Sequence, residues 1–426
     1  MNRKWIIYYG ILMVILCMWS SDTLPPLAFR LSFLIAVLAP LLQKEIGNFP
    51  CILSLFVIVS ANRYMPSFMP FLPDYLLVAT LIMRTLVKYK SPIKAPRVVF
   101  FLVIVTLLVD MLHSGAIQSV SITLLILALF FGFIDDDISQ RWQYLAGSFI
   151  IISIVLCLET FIYRSEITYT LEVGMQDYNR IGWNDPNYFT AVFGMGAIAA
   201  FQILMYYNNL TRKLRHFLIG VILLVLTVSL LVASRGGIAA ILGSFATLFL
   251  LSRKKNKNAS SIFLILLIFG IVLYQFGAFD ILLARVASDE GELGGRSVIW
   301  VSKLNDFSSS ASILDWVFGL GHSGGLSVSN YLGGDKAIIG FHNDFLAILI
   351  SYGIVGLTLF VIMLLYPIIK YRTPSVTAGV VYLSLISLSL EPFSAGGLDF
   401  CYFYFYLCVL GHYMKYADTN INYKTI

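Results

Sequence analysis

Residues 343–372 read NDFLAILISYGIVGLTLFVIMLLYPIIKYR. No charged side chain stands between Asp344 and Lys370. An α-helix needs ~20 mainly apolar residues to cross the hydrocarbon of a bilayer, and this run supplies them without a break. Asn343 or Asp344 can cap its start, and Lys370 and Arg372 close it with the charge that suits a helix C-terminus. The run is predicted to span a membrane as a helix.

Outward from this segment the same pattern recurs along the chain. Of 426 residues, 59% are hydrophobic and 12% charged, and mean hydropathy is +0.84. A soluble chain carries ~25% charged residues, so lipid is the solvent this composition suits. The predicted fold is all-α, a polytopic transmembrane bundle of about 12–14 spans by the ~20-residue criterion. The runs are 5–20, 27–42, 48–62, 74–87, 98–112, 118–134, 143–163, 187–207, 217–233, 236–252, 259–279, 343–366, 375–390 and 398–415. The first follows Arg3 and Lys4 as a signal peptide would, but no small-residue cleavage site is clear after it, so it reads as a retained helix. One membrane domain over 1–426 is expected, with a long, partly helical loop over 280–342 inserted between spans.

Lys and Arg orient the bundle. Clusters fall at Arg3-Lys4, from Arg84 to Arg97, at Arg212-Lys213-Arg215, from Arg253 to Lys257, and at Lys370 and Arg372. Alternating spans put all of them on one face, which the positive-inside rule makes the cytoplasm. Both termini are then cytoplasmic. The net charge of +6 sits largely on that face and gives no ground for a nucleic-acid partner. The five cysteines, Cys17, Cys51, Cys157, Cys401 and Cys408, lie in apolar runs without metal-ligand spacing and read as buried hydrophobes. Asp135-Asp136-Asp137 reads as a solvated helix end, and Asp110 and Glu159 as paired structural groups.

Four features gather on the opposite, outer face. Arg180 precedes Asp185-Pro186-Asn187, an N-cap followed by proline at the first helical position. Ser234-Arg235-Gly236-Gly237 joins two apolar runs with almost no loop, and its glycines are expected to let a ligand approach the backbone. Arg296 opens a segment with apolar residues at helical spacing (Val298, Trp300, Val301, Leu304, Phe307), predicted to be an amphipathic helix on the membrane surface. His342-Asn343-Asp344 returns the chain to the membrane, and histidine is the side chain best placed to move a proton near neutral pH. His322 is a second outer histidine, and His113 lies in a short turn with nothing evident around it. Glu391, beside Pro392, is placed to pair with an arginine or to orient a substrate hydroxyl. Three helices thus begin on the outer face, at 186, 235 and 343, each start bearing Arg or His. Guanidinium groups and helix N-termini both favour phosphate oxygens, so an anionic, membrane-embedded ligand is expected.

The order of these elements resembles the O-antigen ligase/O-antigen polymerase family of bacterial membrane glycosyltransferases. The resemblance rests on Arg180 with Asp185-Pro186-Asn187, Ser234-Arg235-Gly236, Arg296 with Trp300, Gly319-Leu320-Gly321, and His342-Asn343 followed by Gly353 and Gly356. It covers about residues 174–366. It implies a GT-C-like enzyme of the bacterial inner membrane, inverting, metal-independent and without a cofactor, with its site facing the periplasm. The implied donor is a glycan on undecaprenyl diphosphate, and the acceptor is a second lipid-linked repeat unit (a polymerase) or lipid A–core (a ligase). A chain-length regulator is a candidate partner. His342 matches the family's histidine and would be the base. Arg235 and Arg296, with Arg180, would hold the diphosphate, and Asn343, Asp185, Glu391 and His322 would support them. The leading expectation is the polymerase and the alternative is the ligase. A lipid-linked oligosaccharide flippase is a further alternative, although it should carry polar groups near the midplane and paired halves.

Overall fold

The structure, a computed structural model, describes residues 96–132, 142–162, 168–173, 176–181, 186–207, 210–252, 259–283, 296–327, 330–332, 335–337, 340–394 and 397–423. The spans expected at 5–20, 27–42, 48–62 and 74–87 lie outside them, as do Asp135-Asp136-Asp137 and Asp185. Each of the other ten apolar runs is a helix. They are α1 (Arg97–Ser114), α2 (Ser119–Gly132), α3 (Trp142–Ile162), α4 (Pro186–Tyr206), α5 (Arg212–Leu231), α6 (Arg235–Ser252), α7 (Ala259–Gln275), α11 (Asp344–Tyr371), α12 (Pro374–Ser389) and α13 (Leu398–Tyr423). Between α7 and α11 come three shorter helices, α8 (Arg296–Ser310), α9 (Ile313–Phe318) and α10 (Gly321–Ser327). Among the described residues five helices, α1, α4, α5, α6 and α11, are long and apolar enough to cross a membrane. The chain is a polytopic, α-helical membrane protein.

Two short antiparallel hairpins interrupt the helical pattern. β1 (Thr168–Val173) pairs with β2 (Gln176–Ile181), and β3 (Asn330–Leu332) with β4 (Asp335–Ala337). Neither was expected from the sequence. The alternation of Thr168, Thr170 and Glu172 with Tyr169, Leu171 and Val173 is the period-2 signal that carries the first of them.

Helix ends follow local chemistry. Thr211 accepts the amide of Leu214 to start α5, Thr373 caps α12 with Pro374 at its first turn, and Asn343 accepts the amide of Leu346 to start α11. The centre of the bundle is α4, almost wholly enclosed by α3, α5, α6 and α12. Small residues bring these helices close, as membrane helix packing requires. A Cβ on Gly196 would fall 2.5 Å from the Phe149 carbonyl, and one on Gly243 2.7 Å from Leu385. Buried polar groups are paired across helices. Gln202 donates to the Ser375 carbonyl (2.7 Å) and accepts from Tyr406 (2.7 Å), and Ser244 donates to the Ala378 carbonyl (2.8 Å). In lipid such groups have no water to turn to. Tyr402, Tyr404 and Tyr406 of α13 are fully buried. Large apolar side chains on α1 and α7 face outward instead, including Leu112, Leu267 and Ile268. A bilayer covers such a surface, whereas water would make it an aggregation hazard. Cys157, Cys401 and Cys408 are free and buried.

α11 is broken once. Gly353 has φ 66° and ψ −169°, a backbone state open essentially to glycine alone. A regular helix would bond the Ile350 carbonyl to the amide of residue 354. Here the amide of Leu320 donates to it instead (3.0 Å). Leu320 arrives between Gly319 and Gly321, both at positive φ. A Cβ on Gly319 would stand 2.3 Å from the Ser351 carbonyl carbon, and one on Gly353 2.3 Å from that of Val317. The two glycine-bearing segments therefore touch backbone to backbone, and the α9–α10 corner is set into the break.

Candidate functional site

The helix ends expected on the outer face lie together in space. Ala233, at φ 51°, reverses the chain between α5 and α6. The next residue, Ser234, is buried. It donates to Asn187 Oδ1 in the first turn of α4 (3.0 Å) and accepts the amide of Gly237 (3.3 Å). Tyr188 donates to Asp399 Oδ1 at the start of α13 (2.8 Å). Arg235 is the first residue of α6 and is half-buried. The glycines after it do not lie open to a ligand, as the sequence suggested. A Cβ on Gly236 would fall 2.5 Å from Ser389 Oγ, and one on Gly237 2.2 Å from Thr190. They let α6 press against α12 and α4, so their role is packing.

The end of α12 leads from Arg235 to His342. Ser389 touches Gly236, and two residues later Glu391 Oε2 accepts the amide of Phe341 (2.8 Å). Next to it, Asp344 accepts from the amides of Phe393 (3.1 Å) and Ser394 (2.7 Å) and from the Ser394 hydroxyl (2.9 Å), while its own amide donates to the Leu390 carbonyl (3.1 Å). Asn343 is thus the helix cap, and Asp344 locks the 390–394 turn onto the start of α11. His342 sits between these clamps, half-buried, at φ 50°. A left-handed backbone costs a residue other than glycine about 1–2 kcal/mol. The turn is held there by the bonds on both sides.

The helix that begins at Arg296 docks on the same turn. Trp300 Nε1 donates to the Phe341 carbonyl (2.8 Å), and Lys303 Nζ lies 4.4 Å from the centre of the Phe341 ring. Phe307, fully buried, meets Trp316 edge-on. Arg296, Trp300, Lys303 and Phe307 follow one another at helical spacing. This corrects the expected amphipathic face. Trp300 and Phe307 face the protein with the 0%-exposed Lys303, while Val298, Val301 and Leu304 are exposed on the other side. Lysine in such a pattern reads as solvated, so sequence reasoning missed it. Burial lowers the Lys303 pKa, against the pull of Glu391 and Asp306.

The remaining candidates fall elsewhere. The His322 amide donates to Asp110 Oδ1 (3.1 Å), and Asp110 also accepts from Ser121 (2.6 Å) and Tyr352 (3.3 Å). Asp110 is therefore a paired structural carboxylate tying α1, α2, α10 and α11, as expected. Burial lowers the His322 pKa, which favours its neutral form. His113 is not isolated as expected, since Gly321 packs on its side chain and its Nδ1 lies 3.0 Å from the Val109 carbonyl. Arg180 sits in β2 opposite Tyr169. The geometry so far links the helix starts bearing Arg235, Arg296 and His342, and does not add Arg180.

Fold and site together define a polytopic membrane protein whose basic and histidine-bearing helix starts converge at one end of the bundle. Residues 220–361, about a third of the chain, match the family model described as Wzy_C, O-antigen ligase. Over that stretch, which holds Arg235, Arg296 and His342, the chain resembles the O-antigen ligase/polymerase family of membrane glycosyltransferases. Arg180, Asp185 and Glu391 lie outside it. No curated protein matches the chain.

Proposed function

We propose that this protein is an inverting membrane glycosyltransferase that polymerises lipid-linked oligosaccharide repeat units of a surface polysaccharide, taking its donor from undecaprenyl diphosphate. The observation that carries this reading is the docking of α8, which begins at Arg296, onto the clamped turn that presents His342. An acceptor hydroxyl gives its proton to His342 as its oxygen bonds to the anomeric carbon. The bond from that carbon to the diphosphate oxygen breaks, and the electron pair leaves with the lipid diphosphate. Attack from the side opposite the leaving group inverts the carbon. Arg235 and Arg296 stabilise the charge that gathers on the leaving group, because donors fixed in advance need no reorganisation in the transition state. Arg180 is a third candidate for the diphosphate. Asn343 and Glu391 hold the histidine turn.

A second reading, transfer to lipid A–core, is favoured by the description of the matching family, O-antigen ligase. The acceptor separates the two. Purified protein given two lipid-linked repeats is expected to form a longer lipid-linked product. A product formed only when lipid A–core is added makes the protein a ligase. Arg235→Ala is expected to lower transfer by about 10²–10³-fold, the cost of losing one preorganised stabiliser of a developing anion. Unchanged turnover in that variant would remove Arg235 from the site.

We also place the site on the outer face of the inner membrane, with both termini cytoplasmic, on the strength of the Lys and Arg distribution. An alkaline phosphatase fused within 300–335 is expected to be active, as only exported fusions are. An inactive fusion, with a cytoplasmic reporter active at the same point, would reverse the topology.

A further inference from the structure

The turn that presents His342 is held by a carboxylate from a different part of the chain. The Phe341 amide, the one before His342, donates to Glu391 Oε2 at 2.8 Å. The bonded amide immediately precedes the residue at φ 50°, so the carboxylate is fixed to the point where the backbone turns left-handed. The fit is close, because a Cβ on Gly340 would lie 2.0 Å from Glu391 Oε1. The buried ammonium of Lys303, carried by the helix that Arg296 opens, lies over the Phe341 ring. Glu391 and Lys303 act on each other, and Asp306 acts on Lys303 as well. Burial raises the Glu391 pKa, against the pull of the Phe341 amide and of Lys303. One carboxylate oxygen, Oε2, is thus bonded to the backbone of the turn.

We propose that Glu391 is a positioning residue for the transferase reaction: its carboxylate, bonded to the Phe341 amide beside Lys303, sets the left-handed turn that aims His342 and binds that turn to the Arg296 helix. The proposal rests on the function argued above and names for that site a residue outside the matched family segment. It differs from the role expected of Glu391 from sequence, since the carboxylate bonds the protein's own backbone and need not touch an arginine or a substrate hydroxyl.

Two readouts test it, on the full-length protein in lipid nanodiscs. The first does not depend on turnover. Ethoxyformylation of His342 by diethyl pyrocarbonate, followed by mass spectrometry, is expected to quicken several-fold in Glu391→Ala, where the turn is released. Glu391→Gln keeps the volume and an acceptor oxygen for the Phe341 amide but loses the charge beside Lys303, so it should fold and fall between the two. Unchanged labelling in both variants overturns the proposal. The second is kinetic. A displacement of about 1 Å at a reacting group costs about 10²-fold, so Glu391→Ala should lower kcat by that order and leave KM for the lipid-linked donor unchanged, with partial rescue in Glu391→Gln. A raised KM with kcat intact would make Glu391 a substrate contact and also overturn the proposal. If the wild-type protein transfers no glycan to either acceptor, the functional reading fails, and the labelling alone decides whether Glu391 sets the turn.

Discussion

Replacing His342 with alanine is expected to abolish glycan transfer while the protein remains inserted and abundant. General base catalysis contributes about 10²–10⁴-fold, so the chain-length ladder should disappear in cells and the rate in vitro should fall by that factor. The backbone is a confounding influence, because His342 sits at φ 50°, where alanine is strained as well. Two further variants separate backbone from side chain. His342→Gly removes the base and relieves the strain, which stabilises a left-handed position. His342→Asn removes the base but keeps a polar side chain that tolerates the left-handed region. Both should be as inactive as His342→Ala and at least as stable. A normal ladder in any of the three would remove His342 from the chemistry. Recovery of activity in His342→Gly alone would show that the turn matters and the imidazole does not.

Gly353→Ala is expected to cost about 2–6 kcal/mol, from a forbidden backbone state and an overpacked contact together. The added methyl would stand 2.3 Å from the backbone of Val317, with no flexible side-chain end to give way. Relief would require α11 to straighten. The Ile350 carbonyl would then take back its own helical partner, and the Leu320 amide would be left unpaired near the membrane. The α9–α10 corner would lose its seat, and with it the contact of His322 with Asp110. Abundance in membranes and thermal unfolding in detergent should both fall sharply. Gly270→Ala provides the control: Gly270 lies in α7 with open space around its Cβ position, and an alanine in a helix gains about 1 kcal/mol over glycine. Equal melting of Gly353→Ala and wild type would mean that the break in α11 is not required for the packing.

The ten described apolar helices, five of them long enough to cross a membrane, were legible because such a helix is a local object. Apolar length, a capping residue such as Thr211 or Asn343, and basic residues at one end suffice to place it. The gathering of Arg235, Arg296 and His342 at one end was legible for the same reason, since strict alternation of spans assigns each loop to a side. Gly319-Leu320-Gly321 and Gly353 were visible as a pattern, yet their purpose was not, because it is a contact between two backbones more than 30 residues apart. Gly236 and Gly237 looked like room for a ligand until Ser389 and Thr190 filled that room.

The sequence by itself thus determined that this is a helical membrane protein, where its ten described apolar helices lie, and which helix starts bear cationic groups. Hydropathy and charge act residue by residue against lipid and water, and need no knowledge of neighbours. Only the tertiary structure decided that Lys303 is buried beneath Phe341, that Asp344 ties the 390–394 turn while Asn343 caps α11, and that Glu391 holds the amide before His342. A buried charge is stable only with partners, and a left-handed histidine only with clamps. Those partners come from helices far apart in sequence, so they exist only once the bundle has packed.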